Sequence, residues 1–204
     1  MTYKGRLEQT VDIRDEWGFW KGTERGYVRG HAFRDGNLYR TNDLLSLVEQ
    51  TPITEIDQLL ESLNGFYSIV RLSSDRAVLA TDHVQSYPLF YAPLDSDVFI
   101  SNDASWIASQ LRRPEIDPLS EFEFLLTGFV SGRDTLYPAI NQVRAGECVT
   151  IEGLTHDPVI SSTRYSQFNY RPPKRVSESE LLAELDDIVL RSFRRLIDIA
   201  DGRQ

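Results

Sequence analysis

The stretch Leu63–Ala92 reads LNGFYSIVRLSSDRAVLATDHVQSYPLFYA and holds two short apolar runs rich in β-forming residues. The runs, Phe66–Leu72 and Ala77–Ala80, are joined by Ser73-Ser74-Asp75, a polar link of the right length for a tight hairpin. Asn64-Gly65 precedes the first run, and both residues tolerate the positive φ of a turn. These features predict a β-hairpin that begins after a turn at Asn64-Gly65.

An aromatic-rich return segment, Tyr87–Tyr91, follows the hairpin and predicts a third strand behind it. The stretch Asn64–Ala92 is thus predicted to form a hairpin with a return strand behind it. Outside it, apolar and β-branched runs predict strands at Val28–Phe33, Val98–Ser101 and Glu147–Ile151. The segment 159–173 has the composition of a loop.

Helices are predicted where a capping residue precedes apolar residues at helical spacing. The longest follows Ser177, which has Glu180 three residues later as in a capping box and an apolar face that runs to Ile197. The other predicted starts are Asn42-Asp43 before Leu44–Glu49, Thr54 with Asp57, Asn102-Asp103 before Ala104–Leu111, and Asp117-Pro118 with Gly128 as the stop.

Composition excludes several classes of protein. The net charge of −9 disfavours a nucleic-acid surface, no apolar run approaches the roughly 18 residues that cross a bilayer, and the N-terminus lacks the apolar core of a signal peptide. The single cysteine, Cys148, excludes an internal disulfide framework or a cage of cysteines around a metal. We therefore expect a cytoplasmic protein with neither a metal site nor a membrane partner, in which Cys148 is buried and structural.

Five segments, in chain order, resemble the N-terminal glutaminase half of the asparagine synthetase family. The segments and the family patterns they resemble are Leu63–Ser68 with L-x-G-x-F-A, Thr81–Tyr91 with R-D-x-x-G-x-x-P-L-Y-Y, Phe99–Ile107 with F-A-S-E-x-K-A-L, Gly128–Tyr137 with G-Y-V-P-G-x-x-T-L-F, and Val143–Glu147 with L-P-P-G-x. The resemblance covers residues 28 to 153 and, more weakly, the last helix.

This resemblance implies an α+β fold of the Ntn-hydrolase type, a four-layer αββα sandwich of two mostly antiparallel sheets. It implies a glutaminase-like domain over residues 1–170, then a linker and capped helix over 171–204. In the family that helix leads to a synthetase domain with a Ser-Gly-Gly-x-Asp-Ser loop, which the 204 residues lack. We expect the N-terminal part of a longer enzyme, with no cofactor of its own, whose synthetase domain would use ATP and Mg.

The residues that carry glutaminase chemistry in the family are replaced or have no evident counterpart. The family needs a cysteine after the initiator methionine, whereas this chain has Thr2. The oxyanion-binding Asn-Gly pair corresponds to Arg29-Gly30, and the R-G-P-D stretch and Ser-Asp pair that hold glutamine have no evident counterpart. We predict a degenerate pocket at Arg29, Gly30 and Asp82 without glutaminase activity.

Thr2 and several acidic and histidine residues are further candidates for catalysis. Removal of Met1 would expose Thr2, whose hydroxyl is activated by its own amine in some hydrolases. Asp82 and His83 are adjacent, but neighbouring strand residues point to opposite faces, and we expect Asp82 to bind backbone amides at the strand end. His31 and His156 lack convergent partners in the sequence. None of these residues is assigned to catalysis.

Two functions remain open from the sequence. One is a non-catalytic scaffold for the synthetase domain of an amide-forming ligase, with the C-terminal domain of the same polypeptide as partner and a second subunit as a further one. Family members such as β-lactam synthetases resemble this pattern, since they have lost the glutaminase function and kept the ligase. The other is a stand-alone small-molecule-binding or regulatory module built on the degenerate pocket.

Overall fold

The structure is a computed structural model that describes residues 10–154, 157–170 and 177–201. Contacts between residues divide the chain into two units, Met1–Gln167 and Phe168–Gln204. The first unit contains all the described strands and the second contains one long helix, so each is described by itself.

The first unit contains two sheets. The strands of the seven-stranded sheet are β2 (Trp20–Thr23), β3 (Gly26–Arg34), β4 (Asn37–Tyr39), β5 (Asn64–Leu72), β6 (Arg76–Thr81), β10 (Glu147–Glu152) and β11 (Val159–Arg164). They lie in the order β11-β10-β6-β5-β3-β2, with β4 also paired to β3, and every pairing is antiparallel.

The strands of the four-stranded sheet are β1 (Val11–Asp12), β7 (Phe90–Leu94), β8 (Asp97–Ser101) and β9 (Asn141–Gln142). They lie in the order β1-β8-β7-β9, and of the described pairings in this sheet the β1–β8 pairing is parallel and the others are antiparallel. The described helices are α1 (Thr41–Gln50), α2 (Ile56–Ser62), α3 (Ala104–Gln110), α4 (Pro118–Thr127) and α5 (Glu178–Ala200), with a 3₁₀ turn at Ile53–Glu55.

Three buried clusters define the layers of the first unit. The first joins apolar residues of both sheets, including Val70 and Leu79 from one sheet and Ile100 from the other. A second cluster packs the opposite face of the seven-stranded sheet against α1 and α2, and a third packs the four-stranded sheet against α3. The predicted αββα arrangement of two mostly antiparallel sheets is therefore confirmed.

The hairpin β5–β6 is apolar without alternation because both of its faces are buried. Val70 and Leu79 point to the core between the sheets, while Ile69 and Val78 point to the helices α1 and α2. A strand with both faces buried has a near-continuous apolar run, and the two strands of the hairpin were predicted from such runs.

Two predictions about the same stretch are wrong. Asn64 and Gly65 are not a turn but the first residues of β5, paired with β3. Glycine is required there because a Cβ on Gly65 would lie 2.3 Å from the His31 carbonyl oxygen. The return strand, β7, belongs to the other sheet, since both outer edges of the hairpin are already occupied, one by β3 and the other by β10.

Sequence signals gave the correct caps for three helices. Asp103 accepts a hydrogen bond from the Ser105 amide, Asp117 from the Ser120 amide, and Ser177 and Glu180 form the predicted capping box. Gly128 ends α4 in the left-handed conformation.

The predicted starts of α1 and α2 are wrong. The helix α1 begins at Thr41, before Asn42-Asp43, and the Thr41 hydroxyl donates a hydrogen bond to the Gly30 carbonyl at 2.8 Å. This tertiary contact fixes the start of the helix without a side-chain cap. Thr54 lies in the 3₁₀ turn, and Glu55 precedes α2 without capping it through its side chain.

The segment predicted as a loop contains the strand β11, which pairs along its full length with β10. Its sequence, VISSTR, has β-branched residues but weak apolar alternation. The strand forms because it satisfies the backbone groups on the outer edge of β10.

Glu147, the first residue of β10, is fully buried and binds two arginines. Its carboxylate accepts hydrogen bonds from the Arg144 amide at 2.8 Å and guanidinium at 2.9 Å, and from the Arg133 guanidinium at 2.5 Å. Burial by itself would raise the pKa of this carboxyl, but the hydrogen bonds from Arg144 and Arg133 outweigh it and lower the pKa to about 2. The ionised carboxylate therefore stabilises the folded state.

We expect Glu147→Gln to lower the free energy of unfolding by about 3 kcal/mol, because it leaves two guanidinium groups without their buried counter-ion. Urea unfolding followed by circular dichroism at pH 7 measures this loss. A carboxyl whose pKa is depressed stabilises the fold above its unfolded pKa and loses that effect as pH falls. The difference between wild type and variant should therefore shrink from about pH 4.5 to about pH 2.

Glu152→Gln is the matched control, on the same strand but with an exposed carboxylate 3.5 Å from Arg76. It should cost less than about 1 kcal/mol. Equal losses for the two variants would contradict a special role for Glu147.

Candidate functional site

A cavity of about 320 Å³ opens at the middle of strand β3. Three consecutive β3 residues line it, namely Arg29, Gly30 and His31. The remaining described lining residues come from the segment before β2, the start of α1 and the loop before β7, and they are Phe19, Arg40, Thr41 and Tyr87.

Arg29 is held by aromatic rings. Its Cζ atom lies over the ring of Tyr87, 4.2 Å from the centroid, and over the ring of Phe19, 5.2 Å from the centroid. Both distances are within the range of a cation–π interaction. Among the described residues no carboxylate forms a salt bridge with this guanidinium, and the two ring faces are its described contacts.

Gly30 lets the backbone of β3 approach its neighbours closely. Its φ is +95°, and a Cβ on this residue would lie 1.9 Å from the Phe66 carbonyl oxygen and 2.9 Å from Cε2 of Tyr87. Only glycine adopts this conformation at this contact without strain. The residue therefore sets both the strand spacing and the wall of the cavity.

His31 presents a buried nitrogen that lacks a partner. Its Nε2 atom has no hydrogen bond within the described part of the chain, and its ring contacts Phe66 edge to face at 5.8 Å between centroids. Burial lowers the pKa of this imidazole, and the positive charge of Arg40 lowers it further. The ring is therefore predominantly neutral at pH 7.

Asp82 has a structural role behind this site. Its fully buried carboxylate accepts three backbone hydrogen bonds, from the amides of Tyr67 at 3.0 Å, Val84 at 2.8 Å and Ser86 at 3.1 Å. These bonds fix the loop that carries Tyr87, whose carbonyl also accepts a hydrogen bond from the Ser68 hydroxyl. The expectation that Asp82 binds backbone amides at the strand end is confirmed.

His83 is exposed at the turn after β6, and its ring lies 5.8 Å from that of Tyr165. Because both Asp82 oxygens bind backbone amides, the adjacent pair is not arranged as an acid–base couple.

Cys148 lies in β10 opposite Ala80, within the cluster that packs against α1 and α2. Burial raises the pKa of its thiol to about 12, and the negative charge of Asp57 adds to the effect. The thiol is thus protonated and inaccessible at neutral pH, which confirms the expected buried structural role.

The structure brings together two of the predicted pocket residues, Arg29 and Gly30, and places Asp82 in the support of the adjacent loop. Thr2 and His156 lie outside the described residues. Sequence reasoning missed Phe19, His31, Arg40, Thr41 and Tyr87 as lining residues. They come from four separate segments, and the one signal that could have linked a member of this set to the predicted pocket is the i, i+2 spacing of Arg29 and His31 on a single strand.

The described part of the chain contains no cluster of three or more histidine, cysteine or acidic side chains that could hold a metal ion. None of its helices is long and apolar enough to span a membrane.

Comparison with known proteins gives a similarity to one asparagine-synthetase-like enzyme. The chain is 32% identical over 99 residues to carboxyethyl-arginine beta-lactam-synthase from Streptomyces clavuligerus, a match that covers 42% of this chain and 19% of that protein. The chain thus spans about a fifth of the length of this relative. No protein-family model matches.

Two solved structures are similar at lower levels. One is the glutamine phosphoribosylpyrophosphate amidotransferase from B. subtilis complexed with ADP and GMP, with a TM-score of 0.37, 15% identity, and coverage of 72% of this chain and 31% of that chain. The other is described as the allosteric regulatory enzyme of purine biosynthesis, with a TM-score of 0.38, 14% identity, and coverage of 76% and 30%. TM-scores of this size do not establish a shared function.

We expect Gly30→Ala to destabilise the first unit by about 2–4 kcal/mol, because it combines an unfavourable φ with a backbone clash. Gly36→Ala is the control, since Gly36 also has a positive φ but nothing within 4 Å of an added Cβ. It should cost only about 1–2 kcal/mol. Urea unfolding of both variants measures the difference, and equal losses would show that the contact with Phe66 does not constrain residue 30.

Proposed function

We propose that this chain is a non-catalytic, glutaminase-like domain of an asparagine-synthetase-like, ATP-dependent, amide-forming ligase, in which it acts as a scaffold for the synthetase half. The observation that carries the proposal is the state of Arg29. In the family resemblance this position holds an asparagine whose side chain binds the oxyanion, and here it holds a guanidinium stacked on Tyr87 and Phe19. The amide donor of the family's oxyanion site is therefore replaced by a cationic guanidinium at this position.

The link to a ligase is supported by the sequence similarity to the Streptomyces clavuligerus synthase. It is also supported by the confirmed αββα arrangement, which the five family-like segments implied. The similarity covers about a fifth of that relative, and the αββα arrangement concerns this chain alone, so the synthetase half belongs to the proposal.

The described residues supply no nucleophile for glutamine hydrolysis. The thiol of Cys148 is protonated and buried in the sheet, and the Asp82 carboxylate is occupied by backbone amides. His31 lines the cavity together with Thr41, whose hydroxyl donates to the Gly30 carbonyl at 2.8 Å, and we assign neither residue a role in acyl transfer. Thr2 remains the alternative nucleophile of the sequence analysis.

ATP and Mg would be bound by the synthetase half of such a ligase. The chain has no Ser-Gly-Gly-x-Asp-Ser loop, so we assign none of its residues to either group. Its own contribution would be the framework on which the synthetase half packs.

Two exposed apolar faces are suited to a scaffold, one in each unit. In the first unit, α4 and the turn after it expose Leu119, Phe122, Leu125, Leu126 and Phe129, with Leu119 and Leu125 each 76% exposed. In the second unit, α5 exposes a stripe of apolar residues from Leu181 to Ile197. Large apolar patches of this kind mark protein–protein contacts, and the synthetase half or a second copy of the chain are the proposed partners.

A second candidate is a small-molecule-binding or regulatory module. It is favoured by the 320 Å³ cavity, which persists although the residues of glutaminase chemistry are replaced. Ligand cavities in proteins start at about this volume.

We expect the purified chain to release no ammonia from L-glutamine above a boiled control, because nucleophile and oxyanion donor are both replaced. A glutaminase-competent enzyme assayed in parallel shows that the assay works. Intact mass checks the Thr2 alternative, since retention of Met1 leaves no free threonine amine. Ammonia release that is lost in Thr2→Ala would contradict the non-catalytic proposal.

The coding sequence beyond Gln204 tests the link to a ligase. We expect it to continue in frame and encode a Ser-Gly-Gly-x-Asp-Ser loop shortly downstream, since such a loop opens the synthetase half in the family. A stop codon directly after Gln204 would contradict the ligase proposal and favour the stand-alone module.

A further inference from the structure

We propose that the cavity at β3 binds a small organic molecule through a carboxylate group, with the guanidinium of Arg29 as the group that holds it. This proposal deepens the small-molecule-binding alternative and rests on it. It is independent of the scaffold role and of the loss of glutaminase activity.

The first argument is the orientation of Arg29. The faces of a guanidinium accept aromatic rings, whereas its N–H donors point outward in the plane of the group. The Cζ atom of Arg29 lies over the rings of Tyr87 and Phe19, and its guanidinium has no salt bridge or hydrogen bond within the described residues, so its N–H donors are left for a ligand. Two parallel N–H donors match the two oxygens of a carboxylate, and the stacked rings reduce the entropy lost when they engage it.

The second argument is the charge of the lining. The described lining residues include no aspartate or glutamate and two arginines, of which Arg40 has an interaction of its own and Arg29 is the one left to a ligand. Arg40 directly precedes α1, so the positive end of a ten-residue helix lies at the same wall. The lowered pKa of His31, to which Arg40 contributes, is consistent with a positive local potential. These features favour an anion over a neutral or cationic ligand.

The third argument is the His31 imidazole, which lines the cavity. Its Nε2 atom is buried and has no hydrogen bond within the described residues, so a turn of the ring toward the cavity would bring this nitrogen to a ligand. Buried polar atoms are nearly always hydrogen-bonded in proteins, and the exceptions require an explanation. In the tautomer that carries its proton on Nε2, the imidazole would donate to a ligand oxygen, which accounts for the missing partner.

The volume limits the size of the ligand. About 320 Å³ is at the lower end of ligand cavities and is suited to an acid of a few carbon atoms rather than a nucleotide. Glutarate, a five-carbon dicarboxylate, is a suitable probe, and its uncharged diamide, glutaramide, has nearly the same shape. The pair separates recognition of charge from recognition of shape.

Isothermal titration calorimetry of the full chain at low salt and pH 7 tests the proposal. We expect saturable binding of glutarate, at least about tenfold weaker binding of glutaramide, and a loss of at least about tenfold for glutarate in Arg29→Met. Arg29→Lys keeps the charge but not the paired donors and should lose affinity to a smaller extent. Arg34→Met, at a half-buried arginine on the same strand that does not line the cavity, is the matched control and should bind as wild type.

The outcomes separate the parts of the proposal. Circular dichroism and urea unfolding first show that each variant is folded. Absence of glutarate binding, equal binding of glutaramide, or equal effects of Arg29→Met and Arg34→Met would overturn it. Tighter binding of inorganic phosphate than of glutarate, if lost in Arg29→Met, would overturn the carboxylate assignment but leave the cavity as a ligand site. If neither glutarate nor inorganic phosphate binds, the second candidate function, a small-molecule-binding module, is overturned as well. None of these binding results changes the outcome expected in the ammonia-release assay.

Discussion

The buried carboxylate of Asp82 is the interaction on which the site depends. It lies where the β5–β6 hairpin ends, and its three backbone hydrogen bonds join the start of β5 to the turn that leaves β6. The Asp82 carbonyl also accepts from the Gly146 amide at 2.8 Å, which ties the turn to the chain just before β10. Because this turn carries the chain from one sheet to the other, Asp82 sets the path by which Tyr87 reaches Arg29.

The close approach of β3 to β5 is the second constraint. Gly30 and Gly65 face each other's strands, and a side chain on either would collide with the opposite backbone. The pair brings Arg29 and His31 to one wall of the cavity, while Thr41 anchors the start of α1 on the Gly30 carbonyl. Gly30, Gly65 and the Thr41 hydroxyl therefore set the positions of the backbone segments that form the cavity wall.

The sequence predicted the parts of the fold whose signals are local. The hairpin, the Asp117 and Ser177 caps and the buried Cys148 each follow from a few neighbouring residues. It did not predict that β7 joins the second sheet, because that depends on which hairpin edges are already paired. In the site, Arg29 and Gly30 were found through a family resemblance, but Phe19, Arg40 and Tyr87 converge only in the folded chain, so no spacing in the sequence could place them together.

The fold and the chemistry of the site can change separately because different residues carry them. The two-sheet core, the Asp82 turn and the Glu147 ion pairs stabilise the unit, and none of these groups needs a nucleophile or an oxyanion donor. A change from asparagine to arginine at position 29 would remove a catalytic donor at little cost in stability, since the rings of Tyr87 and Phe19 accommodate the new cation. The guanidinium that these rings accommodate also lines the cavity. If both proposals hold, the absence of glutaminase chemistry and the binding of an anion would follow from this single side chain.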